Sequence, residues 1–537
     1  MSLNGFIMKK IPLYVFLLTL NPIITLYAQL PGGIPFQTTM RVFFFQLLAT
    51  VLFVTSIYGK TKNLERSCLT TGLLFFYFSS TGYFLRLIPI PVPSWAHLLL
   101  VFIGVSISVV FAHPLLWGKY LTQPFLRMAS PYMNMIALVS LLVPLSQISR
   151  VIFKGIDDAR TPWSEIIRAE MPPQSLSAEN PPDVYYIILD GYTRADVLKD
   201  VFRYDNSPFL NELSKRGFYV AEQSRSNYIR TAVSIPSSLN MNYLNFTEEQ
   251  AGWDSTNYLP LYDLFQNNQT RLLLEEMGFI TATVASDYAF TDLQDADIYR
   301  YPNAVKVSEF ERVYMSITAL GAFYDTELPF TDQLRSILPL PSYGTRRERI
   351  EYAFEQLSGL PLVEEHKFVF VHIIAPHPPF VFNAEGDPVT TNRPYAPGDA
   401  EDFAGDVSEY QSQYIEQLQY VNQKVIKTID SILTSSKTPP VIIIQGDHGS
   451  GSLLSPTSLE DSCLFERTSI LNAYYMPGGK TELLYPSITP VNSFRVVFDT
   501  YFGANYPLLP DKTYYSPHVN PYNFIEITDQ IENSCDN

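Results

Sequence analysis

The chain has 537 residues, of which 47% are hydrophobic and 14% aromatic, and a formal net charge of −16. This content of apolar residues excludes a mostly disordered chain, and the negative charge argues against a general nucleic-acid binder. The only cysteines, Cys68, Cys463 and Cys535, are too few for a disulfide-based scaffold or a four-cysteine zinc site. Whether Cys463 and Cys535 pair is left open by the sequence.

The charge is divided unevenly along the chain. Residues 1–150 contain ten Lys or Arg residues and one acidic residue, Glu65, whereas residues 151–537 carry a net charge of −25. Long apolar runs with almost no acid are typical of a membrane domain, and the acidic remainder is typical of a soluble domain. We therefore predict a transmembrane bundle over residues 1–150, a linker over 151–182 and an extracytoplasmic domain over 183–537. The Pro-rich end of the linker could also form a surface strap.

Five apolar segments come near the roughly 20 residues that a bilayer-spanning helix needs. Lys and Arg cluster before the first segment, between the second and third, and between the fourth and fifth, which places the N-terminus in the cytoplasm. Five crossings then place the rest of the chain on the outer face. The first segment could instead be a signal peptide, but the four later runs favour an anchor. The segments are residues 11–30, 42–58, 68–85, 95–117 and 126–148.

Strand-like and helix-like segments alternate in the soluble part. Continuous apolar runs predict strands that are buried on both faces, and the amphipathic segments between them predict helices. This alternation predicts an α/β domain with a largely parallel central sheet. The strands are predicted at 184–189, 280–285, 367–374 and 440–445, and the helices at 207–216, 234–242, 259–277, 346–357 and 406–433.

Polar side chains follow these predicted strands at the sheet edge where α/β proteins bind ligands. Each motif alone is also found in ordinary turns and loops. Together, however, carboxylates and imidazoles at equivalent strand ends suit a divalent cation that is bound by oxygen and nitrogen. The residues concerned are Asp190, His377, Asp447 and His448, with Thr231 and Ser234 in a polar segment between the first two strands.

The remaining histidines of the soluble part have weaker settings. His366 and His518 follow no predicted strand, and we assign them to the surface. His372 lies within a predicted strand, and we interpret it as a packed side chain rather than a ligand.

The order of these motifs resembles the sulfatase-like branch of the alkaline phosphatase superfamily. With the N-terminal membrane segments, the chain is similar to lipoteichoic acid synthases and lipid A phosphoethanolamine transferases. The resemblance implies one divalent metal ion, Zn or Mn, with Ca or Mg as the alternatives. It implies Asp190, Asp447 and His448 as ligands, Thr231 as both fourth ligand and nucleophile, and His377 as a contact of the substrate phosphate. Arg467 could lie near the site.

Some features of those families are missing. None of the three cysteines begins the Cys-x-Pro-x-Arg pattern of true sulfatases, in which the cysteine becomes formylglycine. The transferases also carry paired cysteines around the nucleophile and a further histidine soon after Asp-His-Gly, and we find neither here. The resemblance therefore supports one metal ion and does not name a lipid substrate.

These observations predict a metal-dependent phosphotransferase or phosphodiesterase that acts on lipid or glycan head groups through a phospho-threonine. Thr231 is expected just ahead of the predicted helix 234–242, with Ser234 as its N-cap. Transferase and hydrolase activity remain open. The alternatives are a sulfatase-like hydrolase of sulfate or phosphate esters, and a non-catalytic membrane-anchored binding protein with the same fold.

Overall fold

The computed structural model of the chain describes residues 12–29, 37–86, 99, 102–104, 122–149, 162–302, 308–324, 342–389, 395, 398–399, 403 and 405–535, apart from positions 173, 287, 456, 519 and 533. The described residues form two compact units. The first contains those within 1–157, 305–342 and 391–395, and the second contains those within 158–304, 343–390 and 396–537.

Apolar helices make up most of the first unit. Thr39–Thr61 and Pro124–Ser149, with 23 and 26 residues, are long and apolar enough to cross a membrane, and Tyr14–Ala28 is a shorter apolar helix. The predicted segment 95–117 lies almost entirely outside the described residues. The described residues thus provide two candidate spans, and the arrangement of five remains a prediction. The helices of this unit are Tyr14–Gln29, Gln37–Thr61, Leu64–Arg86, Gln123–Ser140, Glu309–Ile317 and Ala319–Tyr324.

The last two of these helices come from a part of the chain that the sequence assigned to the soluble domain. Phe310 and Tyr314 are buried in one apolar cluster with Ile23 and Leu26 of the first helix. An apolar helix face is stabilised only where another apolar surface covers it, and here the N-terminal helices provide that surface. The N-terminal unit therefore includes a segment from far along the chain, unlike the predicted division at residue 150.

A seven-stranded sheet forms the centre of the second unit. Its strands are β1 Val184–Leu189, β2 Phe218–Val220, β3 Ile280–Val284, β4 Ile298–Arg300, β5 Lys367–Ile373, β6 Val441–Gln445 and β7 Asn472–Tyr475. They follow the order β2-β7-β6-β1-β5-β3-β4. All pairs are parallel except those that β7 makes with β6 and β2. A separate two-stranded ribbon pairs β8 Tyr514–Tyr515 with β9 Ile525–Glu526.

The predicted α/β domain with a largely parallel sheet is confirmed. Every residue of the central strands β1, β5 and β6 is buried, as their continuous apolar sequences predict. The sequence did not reveal β2, β4 and β7, which have only three or four residues each. Such short strands are too brief to show a period of two.

Helices of the second unit mostly agree with the predicted ones. The predicted helix 259–277 is two helices, because the side chain of Asn268 caps the second one by accepting from the backbone N of Arg271 at 2.9 Å. The α-helices are Trp163–Glu170, Ala195–Asp200, Ser207–Lys215, Thr231–Leu239, Phe246–Ala251, Leu259–Gln266, Gln269–Glu276, Tyr343–Gly359, Val407–Ser435, Leu464–Thr468 and Pro490–Tyr501, and the 3-10 helices are Ala289–Thr291, Leu360–Leu362, Pro477–Gly479 and Thr528–Gln530.

The end of the predicted linker lies against the second unit. Trp163 is buried in an apolar cluster with Tyr228 and Tyr522. Further along, the backbone N of Ser177 donates to the carbonyl O of Phe502 at 3.0 Å. These contacts agree with the alternative of a surface strap.

A disulfide joins Cys463 to Cys535, with the two Cα atoms 5.3 Å apart, and Cys68 is buried with a free thiol. Cys463 directly precedes the helix Leu464–Thr468. The bond therefore ties the start of this helix to the C-terminal segment.

Candidate metal centre

Three of the predicted ligands lie together at one edge of the sheet. Asp190 directly follows β1, and Asp447 and His448 follow β6, which is parallel and adjacent to β1. One carboxylate oxygen of each aspartate and one imidazole nitrogen of His448 all lie within 4.8 Å of one another, and the three residues are buried. These three side chains, called the ligand cluster below, could therefore hold a metal ion.

Two oxygens of this group are unsatisfied. Nε2 of His448 lies 3.6 Å from Oδ1 of Asp190 and 3.4 Å from Oδ2 of Asp447. Among the described residues, neither of these buried oxygens has a hydrogen-bond donor. Burying a charged oxygen without a partner is costly, and a divalent cation would satisfy both oxygens. Two carboxylates and one imidazole suit Zn²⁺ or Mn²⁺, so the residues present match the implied ion.

The imidazole of His448 is oriented for binding a cation. Its Nδ1 lies 2.9 Å from the carbonyl O of Gly449, so Nδ1 carries the proton and donates, which leaves the lone pair of Nε2 facing the two carboxylates. Burial lowers the pKa of His448, and the charge of Arg467 lowers it further. Both effects favour the neutral imidazole, which is the form that binds metals.

Close contacts with the backbone require glycine on both sides of the Asp447-His448 pair. A Cβ on Gly446 would lie 2.6 Å from the carbonyl O of Tyr192, and one on Gly449 would collide with the carbonyl O of Glu466. Neither glycine has a positive φ angle. Close backbone approach, rather than a special turn conformation, therefore explains the two glycines.

Thr231 lies beside the ligands. It is the first residue of the helix Thr231–Leu239, and its Oγ1 lies 3.1 Å from Nε2 of His448. The predicted start at Ser234 was wrong: Arg230 is the N-cap residue, and Oγ of Ser234 donates to the carbonyl O of Asp447 at 2.6 Å. The helix N-terminus and the Thr231 hydroxyl thus meet at the ligand cluster, which favours an anion there.

His372 also belongs to this site. It is buried in β5, as we predicted, but its Nε2 lies 3.2 Å from Oδ2 of Asp190 and its Nδ1 lies 2.8 Å from Oγ1 of Thr291. Burial raises the pKa of Asp190, but His377, His372 and His448 together lower it to well below the usual range. His372 thus faces Oδ2 of Asp190, whereas Oδ1 of Asp190 faces His448. A polar residue near the end of a fully buried strand was the signal for this contact.

His377 lies near a carboxylate that the sequence did not reveal. Its Nε2 is 3.7 Å from Oδ2 of Asp399, and the same oxygen accepts from Nη1 of Arg467 at 2.8 Å. Burial raises the pKa of Asp399, but the charges of His377 and Arg467 lower it to about 2. Arg467 also donates to the carbonyl O of Ile229, two residues before Thr231, at 3.0 Å. Asp399 follows no strand and belongs to no motif, so only the structure places it here.

The two histidines that we assigned to the surface are exposed, and they lie outside the ligand cluster. Nδ1 of His366 is 3.9 Å from Oδ1 of Asp183, at the opposite end of β1. Nδ1 of His518 lies 2.7 Å from Nη1 of Arg230, the residue before Thr231.

No protein-family model and no curated protein matches the chain. Among solved structures, it is similar to the C-terminal periplasmic domain of EcEptC from Escherichia coli in complex with Zn, with a TM-score of 0.43 and 13% identity over 66% of this chain and 96% of the other. It is also similar to the soluble domain of lipooligosaccharide phosphoethanolamine transferase A from Neisseria meningitidis, with a TM-score of 0.36 and 13% identity over 60% and 90%. A putative sulfatase from Bacteroides thetaiotaomicron gives a TM-score of 0.38 and 15% identity over 64% and 75%. These solved structures thus include phosphoethanolamine transferase and sulfatase domains, the groups that the sequence motifs resemble.

Proposed function

We propose that the chain is a metal-dependent phosphotransferase or phosphodiesterase that acts on phosphodiester head groups of lipids or glycans. The observation that carries this proposal is the position of Thr231. Its hydroxyl lies 3.1 Å from Nε2 of His448, beside two buried carboxylate oxygens that have no donor among the described residues. A hydroxyl is a weak nucleophile unless a base or a metal activates it, and this is where activation would be available.

The residues that would hold the ion are Asp190, Asp447 and His448, with Thr231 as the fourth. When bound, a divalent ion lowers the pKa of a coordinated hydroxyl and neutralises charge on phosphoryl oxygens.

The chain itself contributes positive potential where the phosphoryl group would lie. The backbone N–H groups of Thr231 and Ala232 lie in the first turn of the helix Thr231–Leu239, ahead of those of Val233 and Ser234, which donate to the carbonyl O of Arg230. N–H groups at the very start of a helix have no helical acceptor and favour an anion. The imidazole of His377 and the guanidinium of Arg467 approach the same region through their contacts with Asp399. These groups would orient the phosphodiester for attack by Thr231.

The reaction has two steps. In the first, Oγ1 of Thr231 forms a bond to phosphorus and the bond to the departing alcohol breaks, so that the proton of Thr231 ends on that alcohol. In the second, a hydroxyl of a glycan or lipid, or water, attacks the phospho-threonine and restores Thr231. The acceptor in this second step decides between transferase and hydrolase activity.

The two alternatives predicted from the sequence have less support. A threonine at the nucleophile position cannot become formylglycine, which argues against sulfate ester hydrolysis by that route. A binding protein with a degenerate site would not need Thr231 beside a buried cluster of Asp190, Asp447 and His448.

We further propose that this domain lies outside the cytoplasm. A disulfide between Cys463 and Cys535 supports this, because such bonds persist in oxidising compartments. Reporter fusions after residue 65 should report a cytoplasmic location and fusions after residue 182 an external one. A cytoplasmic signal at residue 182 would contradict both the location and the lipid substrate.

Mass spectrometry of Thr231 tests the function. The full chain in detergent, loaded with Zn²⁺ or Mn²⁺, is incubated with membrane lipid and digested. We expect an adduct on the Thr231 peptide whose mass identifies the transferred group. Thr231→Ala should show no adduct and no turnover of a model phosphodiester, whereas Thr231→Ser should keep partial turnover because the hydroxyl remains. Full turnover in Thr231→Ala would refute the nucleophile.

A further inference from the structure

One cation beside the nucleophile has no role in the reaction described above. Arg230 directly precedes Thr231 and is partly buried. Its Nε donates to the carbonyl O of Ser516 at 2.9 Å, and its Nη1 lies 2.7 Å from Nδ1 of His518. Within the described part of the chain, the guanidinium forms no ion pair with a carboxylate, and Nη2 has no hydrogen-bond partner. A backbone carbonyl and an imidazole nitrogen thus hold the guanidinium in place, and no carboxylate of the described residues balances its charge.

Two other arginines of this unit, Arg467 and Arg495, differ from Arg230 in ion pairing or in accessibility. Arg467 shares its charge with Asp399 at 2.8 Å. Arg495 has no carboxylate partner among the described residues, but it is 4% exposed and its Nε and Nη1 donate to backbone carbonyl groups, so it is a structural residue. Arg230 is more accessible than both, and an accessible guanidinium fork without a counter-charge can bind the two oxygens of a phosphate or carboxylate.

A row of aromatic rings connects Arg230 to the metal centre. The hydroxyl of Tyr258 lies 3.4 Å from the carbonyl O of His518, the partner of Arg230. The ring of Tyr258 packs on Phe290 at 5.6 Å, and Phe290 stacks on Tyr288 at 6.0 Å. Tyr288 then meets His372 edge to face at 6.2 Å, and His372 contacts Asp190. Arg230 and the ligand cluster therefore border one continuous wall.

We propose that Arg230 and His518 form an anion subsite that holds a second anionic group of the substrate, apart from the phosphoryl group that reacts at Thr231. The guanidinium contacts the 516–518 segment and none of the three metal ligands, so it would engage a group displaced from the reacting phosphorus. The substrate class is then a phosphodiester lipid or glycan that carries an additional phosphate or carboxylate. This inference rests on the proposed function for the position of the reacting group.

Calorimetry with simple phosphonates tests the subsite without requiring turnover. The probes are propylphosphonate, with one anionic group, propane-1,3-diphosphonate, with two phosphonates, and 4-phosphonobutyrate, with a phosphonate and a carboxylate. Each is titrated into the Zn²⁺-loaded full chain in detergent. We expect one or both two-anion probes to bind about 10- to 100-fold more tightly than propylphosphonate, the range for hydrogen bonds to a charged group. The better of the two identifies the second anion as phosphate or carboxylate.

Variants then test whether Arg230 causes the tighter binding of the two-anion probes, which is called the affinity advantage below. Arg230→Gln should remove it and leave the affinity for propylphosphonate within about 3-fold, whereas Arg230→Lys should keep part of it. Arg225→Gln is the matched control, because Arg225 is also partly buried and its Nη1 likewise donates to a backbone carbonyl, that of Thr528, at 3.5 Å. His518→Gln, at an exposed position, should reduce the advantage about 2- to 10-fold through loss of one positioning contact. This variant tests the subsite even if Arg230→Gln fails to fold.

The outcomes separate the two proposals. If all three probes bind the wild-type chain equally, or if Arg230→Gln keeps the advantage, the subsite is wrong while the phosphoryl site stands. If none of the phosphonates binds the metal-loaded chain, both the subsite and the proposed function are overturned.

Discussion

Ser234→Ala tests whether the helix Thr231–Leu239 positions a metal ligand. Oγ of Ser234 donates to the carbonyl O of Asp447 at 2.6 Å, and the side chain is 2% exposed. That carbonyl belongs to the peptide group between Asp447 and His448, so this one hydrogen bond fixes the backbone that carries two of the proposed ligands. The alanine variant removes the donor and leaves a buried acceptor.

Losing this hydrogen bond should lower both the unfolding free energy and the metal affinity. Leaving a buried carbonyl unsatisfied costs about 1–3 kcal/mol of unfolding free energy. Losing a group that orients metal ligands lowers metal affinity about 10- to 100-fold. The matched control is Ser237→Ala in the same helix, because Oγ of Ser237 donates to the carbonyl O of Asn242 at 2.7 Å and the side chain is fully buried, but it contacts no ligand. Both variants should lose similar stability, and only Ser234→Ala should lose metal affinity.

The assay combines two measurements on the full chain in detergent. Thermal unfolding of the metal-free chain compares the stabilities, and competition with a chromophoric chelator measures Zn²⁺ affinity. If Ser234→Ala binds Zn²⁺ as tightly as Ser237→Ala does, the contact with Asp447 is only structural and our reasoning about ligand positioning is wrong.

Three further predictions concern the same unit. Asp447→Asn, or treatment with a chelator, should abolish phosphodiester turnover and reduce the bound metal measured by mass spectrometry. The circular dichroism spectrum of Asp447→Asn should be unchanged, because the residue follows a strand rather than filling the core. Turnover that survives chelation would contradict the metal proposal. The pKa of Asp399 is lowered to about 2 in the folded chain. The charged carboxylate therefore stabilises the fold at pH values above the unfolded pKa of about 4. This contribution to the unfolding free energy, at most about 2–3 kcal/mol, is lost as the pH falls from about 5 to about 2. Asp399→Asn should therefore show a melting temperature that falls less steeply over that range, and an unchanged slope would refute the charge interaction with His377 and Arg467. Cys463→Ser should lower the unfolding free energy by up to about 4 kcal/mol, the loop-closure value for a separation of 72 residues. A reductant should lower the melting temperature of the wild type but not of this variant. Equal responses of the two proteins would refute the bond to Cys535.

The sequence by itself determined the central sheet and the position of the ligand cluster. Continuous apolar runs report burial on both faces, which for short segments means central strands. Because parallel strands end at the same edge, Asp190 after one run and Asp447 after another were expected to meet. That inference needs no knowledge of strand order, and the structure does bring these two residues together. The positions of residues that directly follow long apolar strands could therefore be predicted from this sequence.

Contacts across the fold were decided only by the tertiary structure. His372 contacts Asp190 because β5 lies next to β1, and strand order leaves no trace in local periodicity. Asp399 lies between predicted elements, and its place beside Arg467 depends on contacts 68 residues apart in sequence. Ser234 was predicted as the N-cap because Ser is common at that position. The helix instead begins at Thr231, whose Oγ1 lies beside His448 in the loop that follows β6. The contacts of the proposed anion subsite have the same origin, because Arg230 meets Ser516 and His518 only where the C-terminal segment lies beside the helix Thr231–Leu239.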